Sequence, residues 1–279
     1  EYMSIPIPVN EPILEFSAGS PEKHSLKEKL AELSGKEIEI PLIINGEEVK
    51  TGNIGTCVMP HDHGHVLAHF HQAGEPEVQQ AIESSLNAWK SWSKTHLQER
   101  ADVLLKAADL LAGPWRNTLN AATMLNMSKN AYQAEIDAAC ELIDFWRFNP
   151  YFAQEIHNQN PMYSPDGTRN SSEHRPLEGF VFAVTPFNFI SIGGNLPTAP
   201  ALMGNVALWK PASSAVYPAY FVMEILKEAG LPNGVINFIP GSGAVVGPLV
   251  MNHPNFTGVH FTGSTPVFQG MWKTIGENT

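Results

Sequence analysis

Four short apolar runs alternate with three helix-length segments in the carboxyl-terminal part of the chain. The runs are Val181–Thr185, Val206–Lys210, Val235–Pro240 and Gly258–Thr262, and the segments between them are Phe189–Met203, Ala215–Ala229 and Ala244–Met251. Connections of this length join parallel strands through crossover helices. The alternation therefore predicts an α/β fold with a doubly wound parallel sheet, which binds its ligand at the carboxyl ends of the strands.

All four predicted strands end in polar or glycine-rich residues. These ends are Thr185-Pro186-Phe187-Asn188, Lys210-Pro211-Ala212-Ser213, Gly241-Ser242-Gly243-Ala244-Val245-Val246-Gly247 and Phe261-Thr262-Gly263-Ser264-Thr265. Each one alone is a weak signal, and the third is not the G-x-G-x-x-G dinucleotide fingerprint. Because parallel strands bring their carboxyl ends to one edge, the four together predict a single ligand-binding crevice.

Three of these ends allow both a functional and a structural interpretation. The side-chain amide of Asn188 can help stabilise an oxyanion, or it can cap the following helix. Lys210 can bond a ribose hydroxyl or a phosphate, or it can be a solvated lysine at a strand end. The backbone amides after Gly263 and Ser264 can face a pyrophosphate, or these residues can simply cap a helix. The residues alone leave these alternatives open.

The chain before residue 177 predicts short strands followed by helices. Residues 1–22 are proline-rich and are expected to lie extended over a surface, and residues 25–33 predict a short helix. Asn45-Gly46 is a strong signal for a type I′ hairpin between two short antiparallel strands. From Pro76 onward the apolar period becomes helical, which predicts four helices. They cover Val78–Trp89, Leu97–Leu111, Trp115–Met127 and Asn130–Phe148.

Five histidines are crowded between Pro60 and Gly74. They are His61, His63, His65, His69 and His71. Their period of two would place all of them on one face of a strand. No cysteine lies at a ligand spacing. We therefore favour a strand over a metal site and predict no metal.

Glu141 lies on an apolar stripe of the fourth predicted helix. A carboxylate in that position needs a partner or a purpose. It can form an ion pair with an arginine such as Arg147, or it can contact the substrate. Residues 149–176, which follow, are rich in Pro, Asn, Ser and Gly. They predict an excursion with short strands, either a linker or an interaction flap.

Composition excludes several classes of protein. The formal net charge of −11 argues against a nucleic-acid binder, which needs a basic surface. No apolar run approaches the roughly 20 residues that span a bilayer, so we predict neither a nucleic-acid nor a membrane partner. The two cysteines, Cys57 and Cys140, are far apart and indicate neither a disulfide framework nor a zinc site.

The strand ends resemble motifs of the aldehyde dehydrogenase superfamily. TPFNF resembles the Pro-aromatic-Asn-Phe motif, LWKP the lysine motif for the cofactor ribose, GSGAVVG a Gly-x-Gly-x-x-x-Gly turn and FTGST the phosphate-side Thr-Gly-Ser motif. The four motifs follow the family's order, and the resemblance covers nearly the whole chain. Within the family, NEPILEFSAGSPEK, AEIDAACELIDFWRFNP, IGGNLPTAPALMGNVALWKP and VHFTGSTPVF are similar to the branch that oxidises L-glutamate γ-semialdehyde.

The resemblance implies an NAD-dependent oxidation of L-glutamate γ-semialdehyde to L-glutamate in proline catabolism. In that chemistry a cysteine thiolate attacks the aldehyde, hydride passes to the nicotinamide, and a glutamate activates the water that hydrolyses the thioester. The resemblance assigns the oxyanion to Asn188 and the aldehyde substrate to Glu141 and Phe189. It assigns NAD to Thr185, Pro186, Phe187, Lys210, Ser213, Gly243, Gly247, Gly263, Ser264, Thr265, Pro266 and Val267.

The chain departs from the family pattern in one respect. The family's catalytic glutamate and cysteine follow the FTGS motif, and neither motif is present here. Cys57 and Cys140 do not match the context of that nucleophile. The chain is therefore expected to carry the cofactor-binding half without the catalytic domain. Its expected parts are an N-terminal segment with helices of the cofactor-binding domain (1–148), an oligomerisation flap (149–178) and a truncated, Rossmann-like NAD-binding sheet (179–279).

The resemblance also implies a homodimer or higher homo-oligomer in the mitochondrial matrix. Two other interpretations remain open from the sequence. The chain can be a non-catalytic nucleotide-binding or oligomer-partner protein of the same fold. It can also be a related aldehyde dehydrogenase with another substrate.

Overall fold

The computed structural model describes residues 5–278, in which a group of strands and then a group of helices precede a region of alternating strands and helices. The helices are α1 (Pro21–Ser34), α2 (Glu75–Trp92), α3 (Leu97–Ala112), α4 (Arg116–Met127), α5 (Ala131–Ala134), α6 (Glu141–His157), α7 (Ile190–Leu202), α8 (Val216–Ala229), α9 (Gly243–Met251) and α10 (Thr265–Glu277). The strands are β1 (Ile38–Ile40), β2 (Leu42–Ile44), β3 (Glu47–Val49), β4 (Ile54–Met59), β5 (Asp62–His71), β6 (Phe180–Val184), β7 (Val206–Lys210), β8 (Ile236–Phe238) and β9 (Phe256–Phe261). None of these helices is both long and apolar enough to cross a membrane.

The main sheet has the strand order β3-β2-β8-β7-β6-β9. Strands β8, β7, β6 and β9 are parallel to one another, which confirms the predicted alternation. The chain passes outward from β6 through β7 to β8 and then returns to place β9 on the other side of β6. A doubly wound sheet binds ligands where its strand order reverses in this way, here between β6 and β9.

Helices cover both faces of this sheet. α2 packs against β6, β7 and β8 and also against α9, whereas α7 and α8 pack with α3 on the opposite face. α7 carries no charged residue and is buried along most of its length, as expected for a helix surrounded by other elements. Trp209 and Phe238 meet edge to face in the core at 5.1 Å between ring centroids.

The Asn45-Gly46 hairpin is confirmed. Both residues have positive φ angles, 54° and 77°, as a type I′ turn requires. The hairpin extends the main sheet because β2 pairs antiparallel with β8. The backbone N–H of Asn45 donates to Oδ1 of Asn237 at 2.8 Å, so a side chain of β8 fixes the turn.

The histidine-rich segment forms strand β5, as predicted, in a separate sheet of order β1-β5-β4. The expectation that all five histidines share one face was wrong, because His61 lies in the turn before β5 and register shifts interrupt the β4–β5 pairing. His71 is buried, and its Nδ1 accepts from the N–H groups of Thr51 and Gly52, both at 3.0 Å. Its Nε2 therefore carries the proton and donates to Glu39 at 2.9 Å.

The fourth predicted helix differs from the single element expected over 130–148. A π-helical turn at Glu135–Cys140 separates α5 from α6, and α6 continues to His157 with Pro150 inside it. The prediction ended at the residue before the Asn149-Pro150 pair because proline usually breaks a helix. Residues 158–178 contain no strand, so the short strands predicted for the excursion were wrong.

Candidate functional site

The carboxyl ends of the parallel strands lie along one sheet edge, as predicted. Val184 pairs in register with Lys210 on one side and with Phe261 on the other. Past the strand ends, the N–H of Thr185 donates to the carbonyl of Lys210, and the N–H of Thr262 donates to the carbonyl of Val184, each at 3.2 Å. The segments after these strands therefore begin side by side at one edge.

Asn188 lies in an exposed turn whose first residues are buried. Thr185 and Pro186 are buried, whereas Phe187 and Asn188 are exposed. Trp209 Nε1 donates to the hydroxyl of Thr185 at 3.0 Å, so this hydroxyl is occupied by a core contact. The N-cap of α7 is Phe189, and no side chain caps this helix. The capping interpretation of Asn188 is therefore wrong, and within residues 5–278 no hydrogen bond engages its amide.

Lys210 is buried and is not the solvated lysine of the alternative interpretation. The residue is only 7% exposed, and Nζ donates to the carbonyl of Pro211 at 3.1 Å. Burial lowers the pKa of this ammonium group below its usual value of 10.5. A Cβ atom placed on Gly243 would lie 3.6 Å from Cε of Lys210. The lysine thus reaches Gly243, the first residue of α9.

Two helices begin at this edge without side-chain caps. The N-cap residues are Ser242 for α9 and Ser264 for α10, and the side chain of neither accepts a hydrogen bond from its own helix. Their first backbone N–H groups are therefore available, and such groups favour phosphate. The predicted cofactor residues Ser213, Gly243, Gly263, Ser264, Thr265, Pro266 and Val267 are exposed, whereas Gly247 is buried in the second turn of α9.

Glu141 lies at the start of α6 and is half-buried. Ser191 Oγ donates to Oε2 of Glu141 at 2.8 Å, which joins α6 to α7. The alternative of an ion pair between Glu141 and Arg147 was wrong, because Arg147 Nη1 lies 2.6 Å from Oε2 of Glu11. Glu141 also lines an open recess of about 580 Å³ together with aromatic residues such as Phe145 and Phe148. Carboxylate and apolar surface therefore meet in this recess.

Glu11 belongs to an N-terminal segment that lies extended over the helices, as the sequence predicts. It pairs with Arg116 as well as Arg147, and Arg116 also pairs with the fully buried Glu135 of the π-turn. The backbone N–H of Leu14 donates to the same Glu135 at 2.8 Å. The segment thus fastens the π-turn that precedes Glu141.

Phe189 has an unexpected neighbour. The ammonium group of Lys129 lies 4.2 Å from the centroid of its ring, and the same group pairs with Asp137 at 2.6 Å. Sequence reasoning missed Lys129, which follows a helix end without any motif. It also missed Ser191, for which the one available signal was a hydroxyl in an otherwise apolar helix.

Neither cysteine is placed at the sheet edge. Cys57 in β4 and Cys140 at the end of the π-turn are 2% and 5% exposed. Burial raises the pKa of each thiol to about 12, which suppresses the nucleophilic thiolate. In the described part of the chain, no group of three or more His, Cys, Asp or Glu residues could hold a metal ion.

Comparison with known proteins agrees with this geometry. The model of the aldehyde dehydrogenase family matches residues 49–279. Delta-1-pyrroline-5-carboxylate dehydrogenase of Agaricus bisporus is 50% identical over 275 residues, which are 98% of this chain and 50% of that protein. The mitochondrial enzyme of Homo sapiens is 47% identical over 269 residues, 96% of this chain and 48% of that protein.

A solved structure is also similar to this chain. The Delta-pyrroline-5-carboxylate dehydrogenase of Mycobacterium tuberculosis, bound with NAD, superposes with a TM-score of 0.97 at 46% identity. The match covers 100% of this chain and 52% of that one. The chain therefore spans about half the length of the relatives that it matches.

Proposed function

Because this chain belongs to the aldehyde dehydrogenase family, we propose that it supplies the cofactor half of an enzyme that oxidises L-glutamate γ-semialdehyde with NAD. The observation that carries the proposal is that the unbonded amide of Asn188 and the buried Lys210 lie at or just after the carboxyl ends of two adjacent strands, β6 and β7. The similarity to pyrroline-5-carboxylate dehydrogenases supports the choice of substrate.

On the cofactor side, the chain offers a cation and two free helix N-termini. The largely desolvated ammonium of Lys210 can donate to ribose hydroxyls or to phosphate, while the N–H groups after Ser242 and Ser264 favour the pyrophosphate charge. These groups fit a dinucleotide, and bound NAD would accept the hydride. The hydrogen bond from Trp209 to Thr185 holds in place the turn after β6, which lies between Lys210 and the start of α10.

On the reaction side, Asn188 is the candidate oxyanion donor. Its side-chain NH2 group makes no hydrogen bond within residues 5–278. The buried residues Thr185 and Pro186 fix the base of the turn that carries it. A hydrogen-bond donor placed where negative charge develops stabilises that charge in the transition state. Glu141 is the candidate residue for the amino acid end of the substrate, because its carboxylate can accept hydrogen bonds from an ammonium group.

The direct test uses a full-length enzyme that carries these residues, assayed for NADH formation with L-glutamate γ-semialdehyde and with simple aliphatic aldehydes. We expect preference for the semialdehyde in kcat/KM. Equal or better turnover of a simple aldehyde would indicate another substrate, and failure to bind NAD would contradict the proposal as a whole.

Glu141→Ala should weaken use of the semialdehyde more than it weakens folding. We expect KM for the semialdehyde to rise while the free energy of unfolding changes by about 1 kcal/mol, the scale of one hydrogen bond. A loss of roughly 3–5 kcal/mol with normal kinetics of the folded enzyme would instead make Glu141 a structural residue.

A second candidate function is a non-catalytic nucleotide-binding protein of the same fold. The groups that fit a dinucleotide, Lys210 and the two helix N-termini, would serve it equally well. It predicts NAD binding without turnover in a full-length protein. Location in mitochondria and assembly into homo-oligomers stay predictions: the human relative's name includes "mitochondrial" and the Agaricus bisporus name does not.

A further inference from the structure

Lys129 contacts two elements that the proposed function places on the substrate side. Its Nζ lies 4.2 Å from the ring centroid of Phe189 and 2.6 Å from Oδ2 of Asp137. The side chains of Lys129 and Asp137 are only 15% and 20% exposed. A cation held against a ring with so little water around it interacts more strongly than one on an open surface.

The backbone around Lys129 explains how it reaches both partners. α4 ends at Met127, and its C-cap Ser128 adopts a left-handed conformation with φ of 51°; the chain then turns toward α5. Asp137 lies in the π-turn, about one helical turn before Glu141. Phe189 follows Asn188 and is the N-cap of α7. Lys129 therefore joins the residue that follows Asn188 to the π-turn that precedes Glu141.

We propose that Lys129 is a positioning residue that holds the ring of Phe189 in place as one wall of the aldehyde site. The inference rests on the proposed function, since it assumes that Phe189 faces the aldehyde. Asp137 fixes the ammonium group, and the ammonium group in turn fixes one face of the ring. The opposite face and the edge of the ring are then the surfaces that a substrate can contact.

The pairing with Asp137 determines which kinetic constant should respond. The charge of Lys129 is balanced by a carboxylate at hydrogen-bond distance, so the lysine acts through the position of the ring and not as a binding site for the substrate carboxylate. Loss of the cation should weaken binding of the aldehyde. It should leave the binding of NAD unchanged, because Lys210 and the helix N-termini after Ser242 and Ser264 are carried by other elements. Thr185 and Pro186, at the base of the turn that leads to Phe189, are buried, and Trp209 holds Thr185 in place.

The test compares substitutions of two lysines in a full-length enzyme that carries these residues. Lys129→Met keeps the length of the side chain and removes the charge, and Lys129→Arg keeps the charge over the ring. Lys227→Met is the matched control, since Lys227 is 46% exposed and lies 3.9 Å from its carboxylate partner Glu224.

We expect Lys129→Met to raise KM for the aldehyde roughly fivefold to twentyfold, with KM for NAD unchanged. Lys129→Arg and Lys227→Met should remain within about twofold of the parent enzyme. Equal increases in both KM values, or no increase, would overturn the proposal.

A double-variant cycle separates action through the ring from action through Asp137. In a Phe189→Leu background, Lys129→Met should produce no further increase in KM if the lysine works through the ring. An undiminished increase in that background would overturn the proposal. Because Lys129→Met leaves Asp137 without its partner and can impair folding, Lys129→Met combined with Asp137→Asn provides a version of the same test without an isolated charge.

The inference and the proposed function fail in different ways. If the parent enzyme does not oxidise glutamate semialdehyde, the proposed substrate is wrong, and the same variants are then measured with the aldehyde that the enzyme prefers. A crystal structure of the Lys129→Met enzyme supplies a readout that needs no substrate. A changed or disordered Phe189 ring supports the proposal, and an unchanged ring contradicts it.

Discussion

The two ends of the crevice differ in how this chain holds them. At the Lys210 end, every residue of β7 is buried between two neighbouring strands. At the Gly263 end, β9 is an edge strand in the described residues, and each of its residues is only half-buried. α10, which follows β9, exposes apolar side chains including 68% of Trp272.

The difference shows for which parts of the site the geometry is set by contacts within residues 5–278. Core contacts place Lys210 and the Asn188 turn, so their geometry is a property of this chain. The Gly263 end has one neighbouring strand and an open edge, which is an arrangement that normally requires cover. Contacts from outside the described residues would stabilise this end most.

The largest expected effect is the absence of turnover from residues 1–279 alone. The chemistry needs a thiolate within reach of the aldehyde carbon and a base for the thioester. Both cysteines are buried, Cys57 in β4 and Cys140 in the π-turn, so neither lies at the carboxyl ends of the parallel strands. Weak NAD binding through the Lys210 end is expected to remain. The measurement is NADH formation with glutamate semialdehyde, with a full-length enzyme as the positive control. Turnover that Cys57→Ser or Cys140→Ser abolishes would contradict the expectation.

Substitutions of two tryptophans test whether the Lys210 end and the Gly263 end differ in their contribution to stability. Trp209→Ala should reduce the free energy of unfolding by about 3–5 kcal/mol, because it removes a fully buried ring and leaves the Thr185 hydroxyl unpaired. Trp272→Ser should change it by only about 0.5 kcal/mol or less, as for most exposed positions. Denaturant unfolding of the 279-residue chain measures both values. Similar losses for the two variants would show that the ends do not differ.

Asn188→Ala in a full-length enzyme should lower kcat by roughly 10²–10³, the scale for the loss of one oxyanion donor. The free energy of unfolding should change little, because the side chain is exposed and its amide is not engaged. Steady-state kinetics and thermal unfolding measured on the same preparation check both statements. An unchanged kcat would remove Asn188 from the reaction.

Much of the fold was predictable because the alternating region follows local rules. The apolar runs around Val181 and Val206 are short and uninterrupted, and the Asn45-Gly46 pair specifies its own turn geometry. α6 was less predictable, since Pro150 is accommodated inside it against the usual rule. The π-turn before it coincides with a buried Glu135 whose partners are 19 and 121 residues away in sequence.

The candidate site was predictable at its motifs but not at its contacts. The strand ends identified Asn188 and Lys210 as candidates, yet the burial of Lys210 depends on tertiary packing that no local pattern reports. Lys129 was missed for a similar reason: its two partners come from the π-turn and from the start of α7. Contacts between distant elements leave no periodic signal in the sequence.

The smallest expected effect concerns Lys210, where stability and binding should change in opposite directions. Because burial lowers its pKa, the folded state releases the proton before the unfolded state does, and the unfolded state binds more protons between the two pKa values. Stability from this group therefore rises with pH through the window that ends near 10.5, and the cost of the buried charge is fully present below the lowered pKa. Lys210→Met should increase the free energy of unfolding by about 1 kcal/mol at neutral pH and weaken NAD binding. Unfolding of both proteins at neutral pH and near pH 10.5 should show that the advantage of the variant shrinks as pH rises. An advantage that is constant across this window would mean that the charge of Lys210 costs the fold nothing.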